Sequence, residues 1–337
     1  MNLRTTYLGL PLRNPLVASA GPLSQTVDGI RRLADGGVGA VVLYSVFEEQ
    51  IRRQAEVDEA LEEQHADAFG EALSYFPELP GTDGGDLPAD YLRLLEEGAQ
   101  ATGVPIIGSI NGSTRGGWTQ YARQLQDAGA AAIELNIYFV VGDLSLSGRE
   151  VEERHLDIVR AVKQAVSIPV AVKLSPYFSS VGNMCRQLAE AGADGLVLFN
   201  RFLQPEIDID ALDVEPEVEL SSQYEGRLPR TWIAALRGGR VGCSLAATSG
   251  VRDADDLVRY LLAGADVVMT TSALVRNGTE YGRQLLNGLE DWMAAKGYES
   301  LDDFRGLLAV RHDDENAYQR AGYITALQKA KSTYGSF

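Results

Sequence analysis

The sequence predicts a closed (β/α)8 barrel folded as one domain over residues 1–337. Three observations predict it: eight short apolar runs, amphipathic segments between them, and a small-residue turn that recurs where a helix gives way to a strand. Strict strand–helix alternation of this length favours a closed barrel over an open doubly wound sheet. No GxGxxG follows the first strand, which weakens a dinucleotide-binding reading further.

The apolar runs fall near 14–20 (NPLVASA), 40–45 (AVVLYS), 105–111 (PIIGSIN) and 131–138. Four more fall near 169–175 (PVAVKLS), 195–200 (GLVLFN), 241–247 (VGCSLAA) and 265–271 (ADVVMTT). Val, Ile, Leu and Ala fill them and charges are rare until their last residues. Strands buried on both faces of a parallel sheet have this composition. Helical patterns occupy 25–35, 117–128, 150–165, 181–191 and 253–263. Several run into DGGVGA, DAGAAA, EAGADG or LAGADV, where glycine ends a helix in the left-handed conformation. Two stretches break the repeat, at about 48–100 and 201–231. Long insertions after barrel strands land on the catalytic face, where they either cover a site like a lid or only decorate the surface. The tail from 298 reads as helical and polar.

Composition narrows the function. Thirty basic residues against 47 acidic give a net charge of −17. A surface this acidic repels a phosphate backbone and an anionic membrane, so neither nucleic acid nor membrane is expected as a partner. Cys185 and Cys243 do not form a CxxC pair, so an all-cysteine zinc or iron–sulfur site has too few ligands within this chain. His65, His155 and His312 are not spaced as a ligand set, and no metal site is assigned. The N-terminus lacks the apolar stretch of a signal peptide, and no apolar run approaches membrane-spanning length. The expectation is a reduced, cytoplasmic protein.

Chemistry in a barrel sits at the C-terminal strand ends. Strand one ends in Ala18-Ser19-Ala20-Gly21, strand two in Tyr44-Ser45, strand three in Ser109-Ile110-Asn111, and strand four in Glu134-Leu135-Asn136. Strand six ends in Asn200. Strand seven runs into Thr248-Ser249-Gly250 and strand eight into Thr270-Thr271-Ser272. Thr, Ser and Gly can simply terminate strands. Placed after strands seven and eight together, they read as a phosphate clamp, because small residues expose backbone N–H groups and hydroxyls add donors. Lys173 lies within an apolar strand, where an ammonium must meet an anion or snorkel to solvent. Asn111, Asn136 and Asn200 either make turns or read the donor and acceptor edges of a planar polar ring.

Taken in order, NPLVASAGPL, PIIGSING, IELNI, PVAVKLSPYF, GLVLFN, TSGV, LLAGADVVMTTSAL and KGYESLDDFRG resemble the dihydroorotate dehydrogenase family of FMN-dependent barrels over nearly the whole chain. The likeness is closer to its single-domain soluble members than to those with an N-terminal membrane-binding extension. The resemblance implies FMN as cofactor and hydride transfer between flavin N5 and the CH–CH bond of a small dihydropyrimidine-like substrate. Ala18, Ser19, Ala20 and Gly21 would run alongside the flavin, with Tyr44 and Ser45 nearby. Asn111 and Asn136 would bond ring or substrate, Lys173 would stand at the N1/O2 edge, and Asn200 would face the substrate. Thr248, Ser249, Gly250, Thr271 and Ser272 would hold the phosphate. The resemblance also implies a homodimer.

The sequence departs from the family where the proton moves. The family motif after strand four is Asn-x-Ser-Cys-Pro-Asn or Asn-x-Ser-Ser-Pro-Asn, and its Cys or Ser takes the proton. Here the segment reads Asn136-Ile137-Tyr138-Phe139-Val140-Val141. Phe139 stands at the base position and Val141 replaces a substrate-binding asparagine. The family's lysine after strand two aligns with Tyr44, and its substrate loop aligns roughly with Leu73-Ser74-Tyr75-Phe76-Pro77. Losing a base removes about two to four decades of rate. Tyr138 and Ser145 are the candidates to replace it, with Asp143, Ser147 and Tyr44 behind them, and Ser74 is a candidate substrate contact. Three functions follow: an FMN oxidoreductase acting on a dihydroorotate-like ring, a paralogue with another substrate and electrons from a separate protein, or a flavin-free phosphate-binding lyase or isomerase using Lys173.

Overall fold

The computed structural model describes residues 1–51, 86–112, 117–137, 144–201, 206–215, 219–310 and 315–335. Eight parallel strands close into a barrel. In chain order they are Leu16–Ala18, Ala40–Val42, Ile106–Gly112, Ala132–Ile137, Val170–Leu174, Gly195–Leu198, Ser244–Ala247 and Val267–Thr270. Each pairs with its neighbours in sequence order, and Val268–Thr270 pairs with Leu16–Ala18 to close the ring. All eight predicted strands are present, and the barrel confirms the predicted fold class.

Alternation along the strands sorts their side chains into two cores. One set faces the helices and includes Leu16, Val41, Ile106, Ile133, Val172, Leu196, Leu245 and Val268. The other fills the barrel: Val17, Val42, Ile107, Ala132, Ala171, Val197, Ala246, Val267 and Met269. A period of two makes this division automatic once the register is set.

An antiparallel hairpin, Thr5–Tyr7 with Leu10–Leu12, precedes the first barrel strand. Its Tyr7, Leu8 and Leu12 pack into the interior core. The barrel interior is thus sealed by apolar side chains at one end, which leaves the C-terminal strand ends to carry polar groups. These three-residue strands are too short to announce themselves as periodicity, and the sequence reading missed them.

The helices form where predicted, at Val27–Asp35, Trp118–Asp127, Gly148–Ala165, Val181–Glu190 and Ala254–Ala263. Gly264 caps the last of these at φ 115°, the left-handed conformation expected of its turn. Both proposed insertions end earlier than read. Ala89–Ala101 is the barrel's second helix, burying Tyr91, Leu94 and Leu95, so the repeat resumes well before residue 100. Arg227–Gly238 is the sixth, so the second insertion stops at 226. Within it, Glu206–Asp208 pairs with Asp213–Glu215 in a hairpin whose Ile207, Ile209, Leu212 and Val214 are exposed. Helix Glu315–Tyr334 confirms a helical tail, and Tyr323, Ile324 and Leu327 along it are exposed. Among the described residues no helix is long and apolar enough to cross a membrane.

The plug yields a stability prediction. Tyr7 is 1% exposed and its hydroxyl meets no protein hydrogen-bond partner among the described residues. Tyr7→Ala is expected to cost about 3–5 kcal/mol in urea unfolding, as for other large buried aromatics. Tyr7→Phe is expected to cost under about 1 kcal/mol, because it removes only an unpaired hydroxyl. Equal costs for the two variants would show that the ring does not plug the barrel.

Candidate active site

The C-terminal mouth gathers most of the predicted residues by register alone. Asn111, Asn136 and Lys173 are directly paired on neighbouring strands three, four and five. All three are buried, with Lys173 8% exposed. Asn200 joins them from strand six, its Nδ2 donating to Asn136 Oδ1 at 3.0 Å. That bond orients both amides and leaves Asn136 Nδ2 and Asn200 Oδ1 to face a ligand.

The Lys173 Nζ lies 3.5 Å from Oε1 of Glu134, which is 1% exposed on the interior face of strand four. Sequence reading noted Glu134 only as part of a strand end. Its signal was the one that singled out Lys173, a charge inside an apolar strand. A lysine held by a carboxylate presents a fixed positive charge rather than a free nucleophile, which counts against a Schiff-base reading.

Strand one contributes unevenly. Ala18 turns its side chain to the helix-facing core, so only its backbone borders the mouth. Ser19 is buried, and its carbonyl accepts from Thr271 Oγ1 at 2.8 Å. Gly21 sits so close to Thr271 that a Cβ there would come within 2.5 Å of its methyl. At strand two, Ser45 meets Ser109 Oγ at 2.8 Å on the interior side. Tyr44 instead packs edge-on against Tyr91 of the second helix, with ring centroids 5.1 Å apart. Tyr91 both accepts from the Ser109 N–H and donates to its carbonyl.

The loops after strands seven and eight form one unit. Ser249 and Gly250 have φ of 76° and 68°, the left-handed region that makes a tight turn possible. Buried Tyr260 donates to the carbonyls of Ser249 (2.6 Å) and Thr248 (3.2 Å). Burial pushes its phenol well above the ordinary value, against the opposing effect of Arg230, so it remains a donor. The strand eight loop enters a short helix at Ser272. A strap at 219–222, absent from the sequence reading, ties the two loops. Ser221 Oγ accepts from Gly250 N at 3.3 Å and meets Ser272 Oγ at 2.9 Å. Arg276 donates to the carbonyls of Ser221 and Leu220. The strap is anchored in turn by fully buried Asp256, which accepts from Gln223 and Arg230. It is a long-range contact with no local sequence signal.

Five candidates are not placed in this mouth. Tyr138 and Ser74 lie outside the described residues, as do Phe139, Val141 and Asp143. Ser145 is exposed in a turn at 144–145. Ser147 is engaged in capping helix Gly148–Ala165, in a reciprocal box with Glu150.

The donor set suits a ligand with a planar amide-edged ring at one end and a phosphate at the other. Lys173 and three asparagines would suit the ring of such a ligand, and two small-residue loops rich in hydroxyls would suit its anion. The small residues Ala20 and Gly21 between them leave room for a flat group. FMN has this shape and polarity, and the residues present fit it. A crevice of about 750 Å³ lies elsewhere, between helices Val181–Glu190 and Arg227–Gly238. It lies on the outer wall of the barrel, away from the strand ends where this donor set converges.

Comparisons with known proteins agree with the geometry. The dihydroorotate dehydrogenase family matches residues 82–293. The chain is 28% identical over 314 residues to the dihydroorotate dehydrogenase B (NAD(+)) catalytic subunit of Methanothermobacter thermautotrophicus, covering 90% of this chain and 98% of that protein. It is 32% identical over 310 residues to the protein of the same name from Methanocella arvoryzae, covering 89% and 95%. It is 25% identical over 327 residues to the NAD-dependent dihydropyrimidine dehydrogenase subunit PreA of Escherichia coli K12, covering 91% and 76%.

His155 supplies a pH prediction for this region. It is buried beneath the strand four end, with Nδ1 2.8 Å from the Val151 carbonyl and its ring edge-on to Phe178. Burial pushes its pKa below the ordinary value, opposed by backbone hydrogen bonds to Val151 and Ile137, with Arg154 adding to the lowering. The unfolded chain therefore binds a proton that the folded chain resists. Stability from this group is intact above the unfolded value of about 6.5 and is lost as pH falls toward the folded one. The unfolding midpoint is expected to drop between about pH 7 and pH 5, less steeply in His155→Gln. Identical slopes would contradict this placement.

Proposed function

The chain belongs to the dihydroorotate dehydrogenase family, and from that premise we propose that it is an FMN-dependent oxidoreductase transferring hydride between flavin N5 and a CH–CH bond of a small pyrimidine-like ring. Membership supports an oxidoreductase acting on CH–CH groups. One observation carries the finer reading: a buried Lys173 paired with a carboxylate shares the barrel mouth with three asparagines and two small, hydroxyl-rich loops.

When bound, FMN supplies a two-electron centre that accepts or returns a hydride at N5. The protein's part is placement and electrostatics. Thr248, Ser249, Gly250, Thr271 and Ser272 hold the phosphate, with Ser221 locking the two loops in one geometry. Ser19, Ala20 and Gly21 border the ring. Lys173 would place a positive charge beside the part of the flavin that gains negative charge on reduction. A charge fixed in a water-poor cavity costs no reorganisation when the reaction occurs. Asn111, Asn136 and Asn200 would orient the substrate.

A second reading of the substrate is favoured by Phe139 and Val141, which stand where the family keeps its base and a substrate asparagine. The cofactor half then serves a different ring, with a Tyr138 phenol as a candidate proton donor. Several relatives are named as subunits, which supports an electron-transfer protein as partner. A homodimer and a cytoplasmic setting belong to the same proposal.

Two outcomes test it. The purified protein is expected to be yellow, or to become so with FMN; a colourless protein that cannot be reconstituted overturns the reading. Mixed anaerobically with dihydroorotate at neutral pH, the flavin is expected to be reduced about two to four decades more slowly than with a positioned base. Rapid reduction would show that dihydroorotate is the substrate and that another residue replaces the missing base.

A further inference from the structure

Glu134 is the one buried carboxylate that faces the barrel interior among the described strands. It sits one interior layer below Asn136, and its strand neighbours are Ser109 and Ala171. Beneath it lies the apolar interior core of Ala132, Ile107, Val197, Ala246 and Met269 with its tyrosine plug. Neither carboxylate oxygen receives a hydrogen bond from the described residues, and Lys173 at 3.5 Å is the cation it faces. A carboxylate in such surroundings bears a heavy desolvation penalty, and an apolar side chain of similar volume would suit the layer better for stability alone. Removing one partner of such a pair while keeping the other is costlier still, because it strands a buried charge.

We propose that Glu134 is the positioning and charge-balancing residue for Lys173. This rests on the reading of the mouth as an FMN site. An ammonium has three donors and no acceptor. Tethering it from below by a single carboxylate leaves donors free to point out of the barrel, toward the ring edge. The geometry selects this direction because Lys173 lies one layer nearer the mouth than Glu134. The carboxylate also offsets part of the ammonium's field. The mouth therefore does not favour the reduced, negatively charged ring as strongly as an unopposed lysine would. Glu134 touches neither ring nor substrate. It acts through Lys173, and it sets both the position of that charge and its effective strength.

The test uses Glu134→Gln, Lys173→Met and the double variant, in unloaded and FMN-loaded protein. Without flavin, each single variant is expected to lower the urea midpoint more than the double variant does. With FMN, Glu134→Gln is expected to favour binding of the reduced over the oxidised cofactor by about tenfold, a rise of about 30 mV in the two-electron potential. Lys173→Met is expected to move it the opposite way by at least as much. A role confined to packing would leave the potential in place or shift it in the same direction in both variants.

Additive midpoints with unmoved potentials overturn the proposal while leaving the FMN site standing. Failure of every variant and of the parent to take up FMN overturns the site reading and the charge-balancing half, whereas coupling in the unloaded protein still reports the tether. If Glu134→Gln does not fold, the double variant decides: recovery of folding on removing Lys173 as well supports the pair, and failure to recover counts against it.

Discussion

An ion pair inside the barrel, Lys173 with Glu134, marks the boundary on which the rest of the molecule is arranged. Below it the interior is alanine, valine, isoleucine and methionine, closed by a hairpin that inserts a tyrosine. Above it the same strands present amides, hydroxyls and glycines. A parallel barrel has no edge and buries both faces of each strand, so polar chemistry has few places to go. The ends of the strands are the place, and the plug at one end decides which. Neither of these two opposite charges is needed to pack the interior.

The loops after strands seven and eight depend on contacts distant in sequence. Ser221 joins the two loops, Tyr260 holds the carbonyls of the first, and Asp256 anchors the segment that carries Ser221. The left-handed turn at Ser249 and Gly250 is held open by this scaffold rather than by local preference alone. A Cβ at Gly250 would come 2.3 Å from the Gly226 nitrogen and 3.0 Å from the carbonyl oxygen of Ser222, which ties the glycine to the close approach of the strap and the turn after it. The loops after strands seven and eight and the second insertion are therefore one construction, and the insertion contributes directly to the mouth.

Much of this was legible in the sequence. Strands buried on both faces are nearly continuous apolar runs, so all eight stood out, and Lys173 stood out against them. The loops after strands seven and eight stood out because small hydroxyl residues follow those two strands, and the structure ties them together through Ser221. Glu134 carried the same signal as Lys173, yet its place beside Asn136 made it read as an ordinary strand end. The N-terminal hairpin was hidden by the brevity of its strands, and Ser221 by the 29 residues separating it from Gly250. Helix Ala89–Ala101 was absorbed into an acidic insertion although its Tyr91, Leu94 and Leu95 repeat at helical spacing. Tyr44 and Ser45 were adjacent candidates, and only packing against Tyr91 shows that Ser45 faces inward while Tyr44 leans on a helix. The substrate half, around Phe139, shows its divergence in sequence alone.

An experimental structure of the FMN-loaded protein tests the central claim most directly. The ring is expected across the barrel mouth, its pyrimidine edge at hydrogen-bond distance, about 3 Å, from Lys173 Nζ. The phosphate is expected between the Thr248–Gly250 and Thr271–Ser272 loops, with Glu134 still beneath the ammonium. Flavin bound elsewhere, or a Lys173 turned away from the ring, would contradict that claim.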